Sequence, residues 1–170
     1  MTDEQAMLAV KEGDLDKAAV LYERYKKALL NFFLYRQNSR ETARDLTQQV
    51  FLRLLRYRHT FREGASFRTW VHEIARNVFH DHLKTVRVQT DIIPDLPETD
   101  DPADDRHEQL HFALQQLPEG YRDVLVLSRF QNMSYEEIGE LLGLSVANVK
   151  VRAFRGLQKL RDLYFQLDRP

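Results

Sequence analysis

Ser134-Tyr135-Glu136-Glu137-Ile138-Gly139-Glu140-Leu141-Leu142-Gly143-Leu144-Ser145-Val146-Ala147-Asn148-Val149-Lys150-Val151-Arg152-Ala153-Phe154-Arg155 is the stretch on which the fold turns. Ser134 and Glu137 are spaced as the N-cap and N3 residues of a capping box, in which each side chain accepts from the other's backbone amide. Gly143 stops the first helix, and Ser145 caps a second. Ile138, Leu141, Leu142, Leu144 and Val149 are spaced so that both helices share one small core across the tight Gly143-Leu144-Ser145 turn. This is helix-turn-helix spacing, whose second helix can enter a major groove. That helix carries Asn148, Lys150, Arg152, Arg155 and Lys159, with no acid between Ser145 and Arg161, whereas the first carries Glu136, Glu137 and Glu140. A solvated helical hairpin would need no such segregation of charge; a helix laid against phosphates does.

Outward from this motif the chain reads as helices throughout. The five prolines stand at 94, 97, 102, 118 and 170, outside every long periodic stretch. No segment alternates apolar and polar residues with β-branched enrichment, so no strand is expected. A short helix capped by Asp3 ends at Gly13, and a second runs from about Asp14 to Tyr35 with Leu15, Ala18, Ala19, Tyr22 and Leu29 on one side. Asn38-Ser39 is a turn and cap signal, and the next helix carries Leu46, Val50, Leu54 and Tyr57. Ser66 caps a helix reaching about Lys84. From Val88 to Arg106 the composition changes: Asp91, Asp95, Glu98, Asp100, Asp101, Asp104 and Asp105 share the segment with three prolines and no helical period. It reads as an extended, solvated linker. Helices resume at Asp105 or Arg106, and another spans Tyr121 to about Phe130. The expected fold is all-α: two small helical domains, 1–88 and 107–170, joined by an acidic flexible linker at 89–106, the second domain being the helix-turn-helix.

Composition narrows the function. Lys and Arg total 25 against 26 Asp and Glu in 170 residues, a net charge of -1 that argues against a generic polycation. Without cysteine, disulfides and thiolate metal sites are excluded. The acidic start Met1-Thr2-Asp3-Glu4 leads into no apolar signal core, and Leu29–Tyr35 is too short to span a bilayer, so a cytoplasmic protein with no membrane insertion is expected.

A second constellation lies in the first half. Arg53, Arg56, Arg58, Arg62, Arg68, Arg76, Lys84 and Arg87 are opposed only by Glu63, Glu73 and Asp81, and are interleaved with Tyr57, Phe61, Phe67, Trp70 and Phe79. Basic groups attract a nucleic-acid backbone, and aromatic groups receive unstacked bases. The turn Arg62-Glu63-Gly64-Ala65-Ser66 adds backbone donors and room for such a base. Phe67, Val71, Ile74 and Val78 have the spacing of a core stripe; Trp70 fits either role.

The two constellations converge on a family. Asp45-Leu46-Thr47-Gln48-Gln49-Val50-Phe51-Leu52-Arg53-Leu54 resembles the polymerase-binding helix of bacterial sigma factors. Phe67-Arg68-Thr69-Trp70-Val71-His72-Glu73-Ile74-Ala75-Arg76-Asn77 resembles their promoter-melting helix, and Leu117-Pro118 through Arg161 their C-terminal helix-turn-helix. The resemblance covers essentially the whole chain in order, with the short length and acidic linker of the extracytoplasmic-function (ECF) subfamily of the sigma-70 family. It implies core RNA polymerase and promoter DNA as partners, and allows an anti-sigma factor. Asp45, Gln48, Gln49, Phe51 and Leu52 would dock on the polymerase. Phe61, Arg62, Gly64, Ser66, Arg68, Trp70, Arg76, Asn77, Asp81 and Lys84 would serve the -10 element, with the loop from Phe61 to Ser66 holding a flipped base. Ser145, Asn148, Lys150, Val151, Arg152, Phe154 and Arg155 would serve the -35 element. The linker suits this role: the nineteen residues from Val88 to Arg106 reach at most about 65 Å, and about 17 base pairs at 3.4 Å span about 58 Å. Gln49 stands where the family usually has Glu, and Val151 and Gly156 where it commonly has Ser and Ala.

Two rival readings touch the same residues. His72-Glu73-Ile74-Ala75-Arg76 nearly spells a zinc-peptidase helix, but Arg76 occupies the position of the second histidine, and His80 and His82 lie on different helix faces. No enzyme activity, cofactor or metal is expected. A helix-turn-helix repressor or activator acting without core polymerase is the alternative, and it leaves the basic-aromatic region unexplained.

Overall fold

The computed structural model describes residues 1–36, 39–88 and 105–167. The described residues are helical, with no strand among them. They divide into two units, one of residues 1–34 and 39–88, the other of residues 35–36 and 105–167. Most of the expected linker, residues 89–104, lies outside the described residues, as does Asn38 of the turn signal.

The first unit contains α1 (Asp3–Lys11), α2 (Asp16–Leu34), α3 (Arg40–Arg56), a single 3-10 turn (Arg58–Thr60) and α4 (Phe67–Val88). The cap of α1 is Thr2 rather than Asp3. The Thr2 hydroxyl accepts from the Gln5 amide at 3.1 Å, and the Gln5 side chain accepts from the Thr2 amide at 2.9 Å, a complete capping box. Asp3 instead takes a 2.6 Å hydrogen bond from the Tyr25 hydroxyl and a 2.8 Å ion pair from Arg24. Burial, reinforced by the Asp3 carboxylate, pushes the Tyr25 phenol well above its usual range. The stripe expected on α2 also needs correction. Leu15 and Tyr22 are exposed, and the buried side is Leu21, Tyr25, Leu29, Phe32 and Phe33. The aromatic residues at the C-terminal end carry the larger apolar area, about 1.5–3 kcal/mol for each fully buried large side chain, and they decide which face turns inward. From α3, Ala43, Leu46, Val50 and Leu54 enter this core, whereas Tyr57 ends the helix 46% exposed. From α4 come Phe67, Val71, Ile74, Ala75, Val78 and Phe79. His72 is buried as well, its Nδ1–H donating to the Arg68 carbonyl at 2.7 Å and its ring meeting Phe32 edge-on.

The second unit contains α5 (Asp105–Gln116), α6 (Glu119–Leu125), a wider π-helical turn (Val126–Phe130), α7 (Tyr135–Leu142) and α8 (Val146–Leu167). The helix expected over 121–130 thus starts earlier and changes pitch halfway, the Gln131 amide reaching back to the Val126 carbonyl at 3.1 Å. Arg122 closes the C-terminal end of α5: its guanidinium donates to the carbonyls of Leu114, Gln115 and Leu117 at 3.1, 3.2 and 2.9 Å, and the Leu114 carbonyl also accepts from the Leu117 amide at 3.2 Å. Arg36, which groups with this unit, forms a 2.6 Å ion pair with the buried Asp123. Leu114, Leu117 and Leu125 form the core beneath α8, joined by Leu157, Leu160 and Leu163.

The helix-turn-helix forms as its spacing predicts. The Ser134 capping box is complete, Gly143 ends α7 in the left-handed region (φ 71°), and the Ser145 hydroxyl accepts from the Asn148 amide at 3.1 Å. Ile138 and Val149 are fully buried between the helices. Two glycines permit the close approach. A Cβ on Gly139 would lie 2.6 Å from the Leu144 carbonyl oxygen, and one on Gly156 would lie 3.1 Å from Tyr121 Cβ.

Candidate nucleic-acid and protein interface

The first unit carries a groove of about 500 Å³ between the end of α3, the 3-10 turn and α4. Along α4 it is lined by Trp70, Glu73, Ile74, Asn77, His80, Asp81 and Lys84, and across from them by Arg53, Tyr57 and Thr60. The helical period puts positions 70, 73, 74, 77, 80, 81 and 84 on one face. Of the residues expected to serve the -10 element, Trp70, Asn77, Asp81 and Lys84 therefore share one wall. Trp70 belongs to both surroundings, core and groove. It is half-buried, its ring 5.2 Å from Phe61 and 6.2 Å from Phe67 in the core, while one side remains in the groove.

The groove is not a simple cation trap. Arg53 pairs with Asp81 at 2.8 Å, so the acid is neutralised where an anionic strand would otherwise be repelled. Lys84 and Arg53 are balanced by Glu73 and Asp81 in the lining, and the indole, phenol and amide of Trp70, Tyr57 and Asn77 supply stacking and hydrogen-bonding surface. Such a lining favours the base side of a strand over its phosphates. Arg53 and Tyr57 were visible in the sequence as part of the basic-aromatic set. Thr60, Glu73 and His80 are not among the residues expected to serve the -10 element, although the period of α4 from Trp70 marks Glu73 and His80.

The loop from Arg62 to Ser66 joins the 3-10 turn to α4. The Ala65 amide bonds the Arg62 carbonyl at 3.1 Å, and Gly64 takes φ 84°, the left-handed third residue of a type II turn. Arg62, Glu63 and Gly64 are exposed, and a Cβ on Gly64 would meet nothing within 4 Å. Phe61 must be taken out of the candidate surface. Its side chain is fully buried against Phe67 and Trp70, because an aromatic group entering α4 gains more in the core than in water. Ser66 accepts from the Thr69 amide at 3.3 Å, an N-cap role. Arg68 is half-buried, and its charge lies near enough to the Tyr25 hydroxyl to oppose the rise of that phenol's pKa. Arg76 is half-buried and does not line the groove.

On α3 the expected docking residues form an exposed face: Asp45, Gln48, Gln49 and Leu52 reach solvent, Leu52 at 66% exposure. Phe51 is half-buried, its ring edge-on to Tyr22 of α2 at 4.9 Å, which extends the apolar part of this face.

On α8 the buried stripe is Val149, Ala153 and Gly156, leaving Asn148, Lys150, Val151, Phe154 and Arg155 outward. Phe154 is 65% exposed and Val151 44%, in the middle of a basic helix. Arg152 is half-buried: its Nε donates to Asn148 Oδ1 at 3.3 Å, and its Nη1 lies 2.9 Å from where a Gly120 Cβ would be. Ser145 spends its hydroxyl on the cap, and Lys159 lies over the Tyr121 ring at 5.5 Å. Among the described residues no group of three His, Asp or Glu side chains is placed to hold a metal, and no helix is long and apolar enough to cross a membrane.

Comparison with known proteins agrees with this geometry. Residues 21–88 match the family model for sigma-70 region 2, and residues 107–160 that for sigma-70 region 4. The chain is 34% identical to RNA polymerase sigma factor CarQ of Myxococcus xanthus, over 93% of this chain and 95% of that protein. It is 32% identical to sigma factor YlaC and 30% identical to the ECF sigma factor SigM, both of Bacillus subtilis, over 86% and 85% of this chain and 91% and 93% of those proteins. In fold it resembles CnrH, solved with the cytosolic domain of CnrY (TM-score 0.74, 24% identity, 95% of this chain and 96% of that one). It likewise resembles RpoE of Bartonella quintana, solved with the anti-sigma factor NepR (TM-score 0.75, 23% identity, 89% and 98%). The region 2 match covers the basic-aromatic half that a free-standing repressor leaves unexplained. The chain therefore belongs to the sigma-70 family, in its extracytoplasmic-function subfamily, a family of transcription-initiation factors rather than of enzymes.

Proposed function

We propose a division of labour within this sigma factor. The α3 face of Asp45, Gln48, Gln49 and Leu52, with Phe51 at its edge, docks on core RNA polymerase. The α4 groove and the 62–66 loop receive the unstacked strand of the -10 element, and α8 enters the major groove at the -35 element. The working parts are residues 1–88 and 107–170, with 89–106 as the tether. The chain acts in the cytoplasm and catalyses no reaction itself. An anti-sigma partner belongs to the same reading; RpoE of Bartonella quintana is one protein of this fold solved with such a partner.

The observation that carries this reading is that Trp70, Asn77, Asp81 and Lys84 line one groove with Tyr57 across from them. Magnitudes then require the polymerase. Opening duplex costs about 1.4 kcal/mol per base-pair step, whereas stacking a base on an aromatic side chain returns about 1–3 kcal/mol. One or two captured bases cannot hold a bubble of many base pairs, so the larger enzyme supplies the remainder.

The test is transcription in vitro with core polymerase on promoters varied separately at each element. Asn77→Ala is expected to change the ranking of -10 sequences and leave that of -35 sequences unaltered. Equal effects on both elements would overturn the division.

A further inference from the structure

The region 2 match begins at residue 21, so α1 precedes it, yet the two ends of α1 hold the two ends of the 62–66 loop. Lys11, in the last turn of α1, donates from Nζ to the Phe61 carbonyl at 2.6 Å, across 50 positions of sequence. Glu4, in the first turn, accepts from the Phe67 amide at 3.1 Å, across 63 positions. The first bond fixes the residue that enters the loop. The second adds a carboxylate cap to the N-terminus of α4, where the Ser66 hydroxyl supplies another, and negative charge is favoured at that end of a helix. Between these anchors Arg62, Glu63 and Gly64 are exposed, with one turn bond inside the loop. The anchors also bear on the groove wall, since Phe61 carries the Trp70 ring at 5.2 Å.

We propose that α1 is a positioning clamp for promoter opening: Lys11 and Glu4 touch no DNA, but hold the 62–66 loop and the Trp70 edge in the geometry that receives an unstacked base. This rests on the base-capture reading above. A loop with both ends fixed loses less conformational freedom when a base enters it. Releasing one end therefore slows capture while the surfaces for core polymerase and the -35 element stay as they were.

The experiment compares wild type with Lys11→Met, which keeps the stem without the donor, Lys11→Arg, which restores a donor, and Glu4→Ala, in the full chain. Thr2→Ala is the control: it removes the α1 capping box without touching either anchor. Holoenzyme is reconstituted on a promoter carrying 2-aminopurine in the -10 element, and the opening rate is read separately from initial binding. Amide hydrogen exchange of residues 62–66 is read on the free chain. Lys11→Met is expected to slow opening about tenfold, the scale of one charge-assisted hydrogen bond, with initial binding unchanged and loop exchange accelerated. Lys11→Arg should recover most of the rate, Glu4→Ala should behave like Lys11→Met, and Thr2→Ala should leave opening and loop exchange as in wild type. Unaltered loop exchange in both anchor variants overturns the clamp, and so does an equal opening defect in Thr2→Ala, which would reduce α1 to a structural prop. If loop exchange responds but opening does not, the clamp is again overturned as a device for opening. If wild type itself gives no 2-aminopurine signal, the base-capture reading fails, and the clamp for opening fails with it, while the exchange result separately reports whether Lys11 and Glu4 hold the loop.

Discussion

At the scale of single residues, two positions carry consequences that spacing alone does not. Gly139 lies in the middle of α7, where alanine would ordinarily be favoured by up to about 1 kcal/mol. Here a Cβ would meet the Leu144 carbonyl oxygen at 2.6 Å, and that oxygen belongs to the backbone of the turn. Gly139→Ala is therefore expected to destabilise the second unit by about 2 kcal/mol, read as a lower denaturant midpoint at unchanged slope; a neutral or stabilising result would mean that the turn relaxes freely. Val151 is the other position. It stands outward at 44% exposure, between Asn148 and Phe154 on the outer side of a basic helix, and the T methyl is the apolar feature of a major groove. Val151→Ala is expected to weaken binding to a thymine-containing -35 site by about 1 kcal/mol, about fivefold. Replacing that thymine by deoxyuridine should cost wild type the same and the variant nothing further. Additive losses would separate Val151 from the methyl group.

At the scale of the element, α3 shows how one helix divides its duties. Leu46, Val50 and Leu54 are buried, whereas Leu52 is 66% exposed beside Gln48 and Gln49. Leu52→Asp should leave the melting temperature nearly unchanged, because surface substitutions usually fall within about 0.5 kcal/mol, while weakening core polymerase binding by about tenfold or more. Retained binding in a pull-down would remove this face from the docking site. On α5, burial lowers the His111 imidazole pKa below its usual value, with the His111 ring nitrogen 2.9 Å from the Gln115 amide nitrogen. The unfolded chain then binds the proton more readily than the folded one. Stability is highest above the unfolded value near pH 6.5 and is lost as the pH falls through the lower folded value. His111→Gln should flatten that part of the pH dependence of unfolding; an unchanged acid profile would show that another group carries it.

At the scale of the whole molecule, the net charge of -1 gives no general attraction to DNA, so binding depends on local basic surface presented on the polymerase. Arg155→Ala in the holoenzyme is expected to lower promoter affinity and reduce the salt slope by about one; an unchanged slope would exclude Arg155 from a phosphate contact. Much of this organisation was legible in the sequence, because it rests on local rules. Cap residues, glycine stops, proline placement and the 3.6-residue period specify helices from neighbours a few positions apart, and they identified the helix-turn-helix at Ser134–Arg155 and the outward Lys150 and Arg155, whereas Leu52 and Asn77 were marked by the family resemblance. What lay beyond them was long-range competition for burial. Only the folded chain decided that Phe61 goes to the core rather than to a base, that α2 buries Leu21, Tyr25 and Phe32 while Leu15 and Tyr22 face outward, and that Lys11 and Glu4 meet a loop fifty and more residues away. Periodicity can say that a helix has an apolar side; which of several large side chains wins the limited interior is settled by the area each buries against partners that no local stretch of sequence contains.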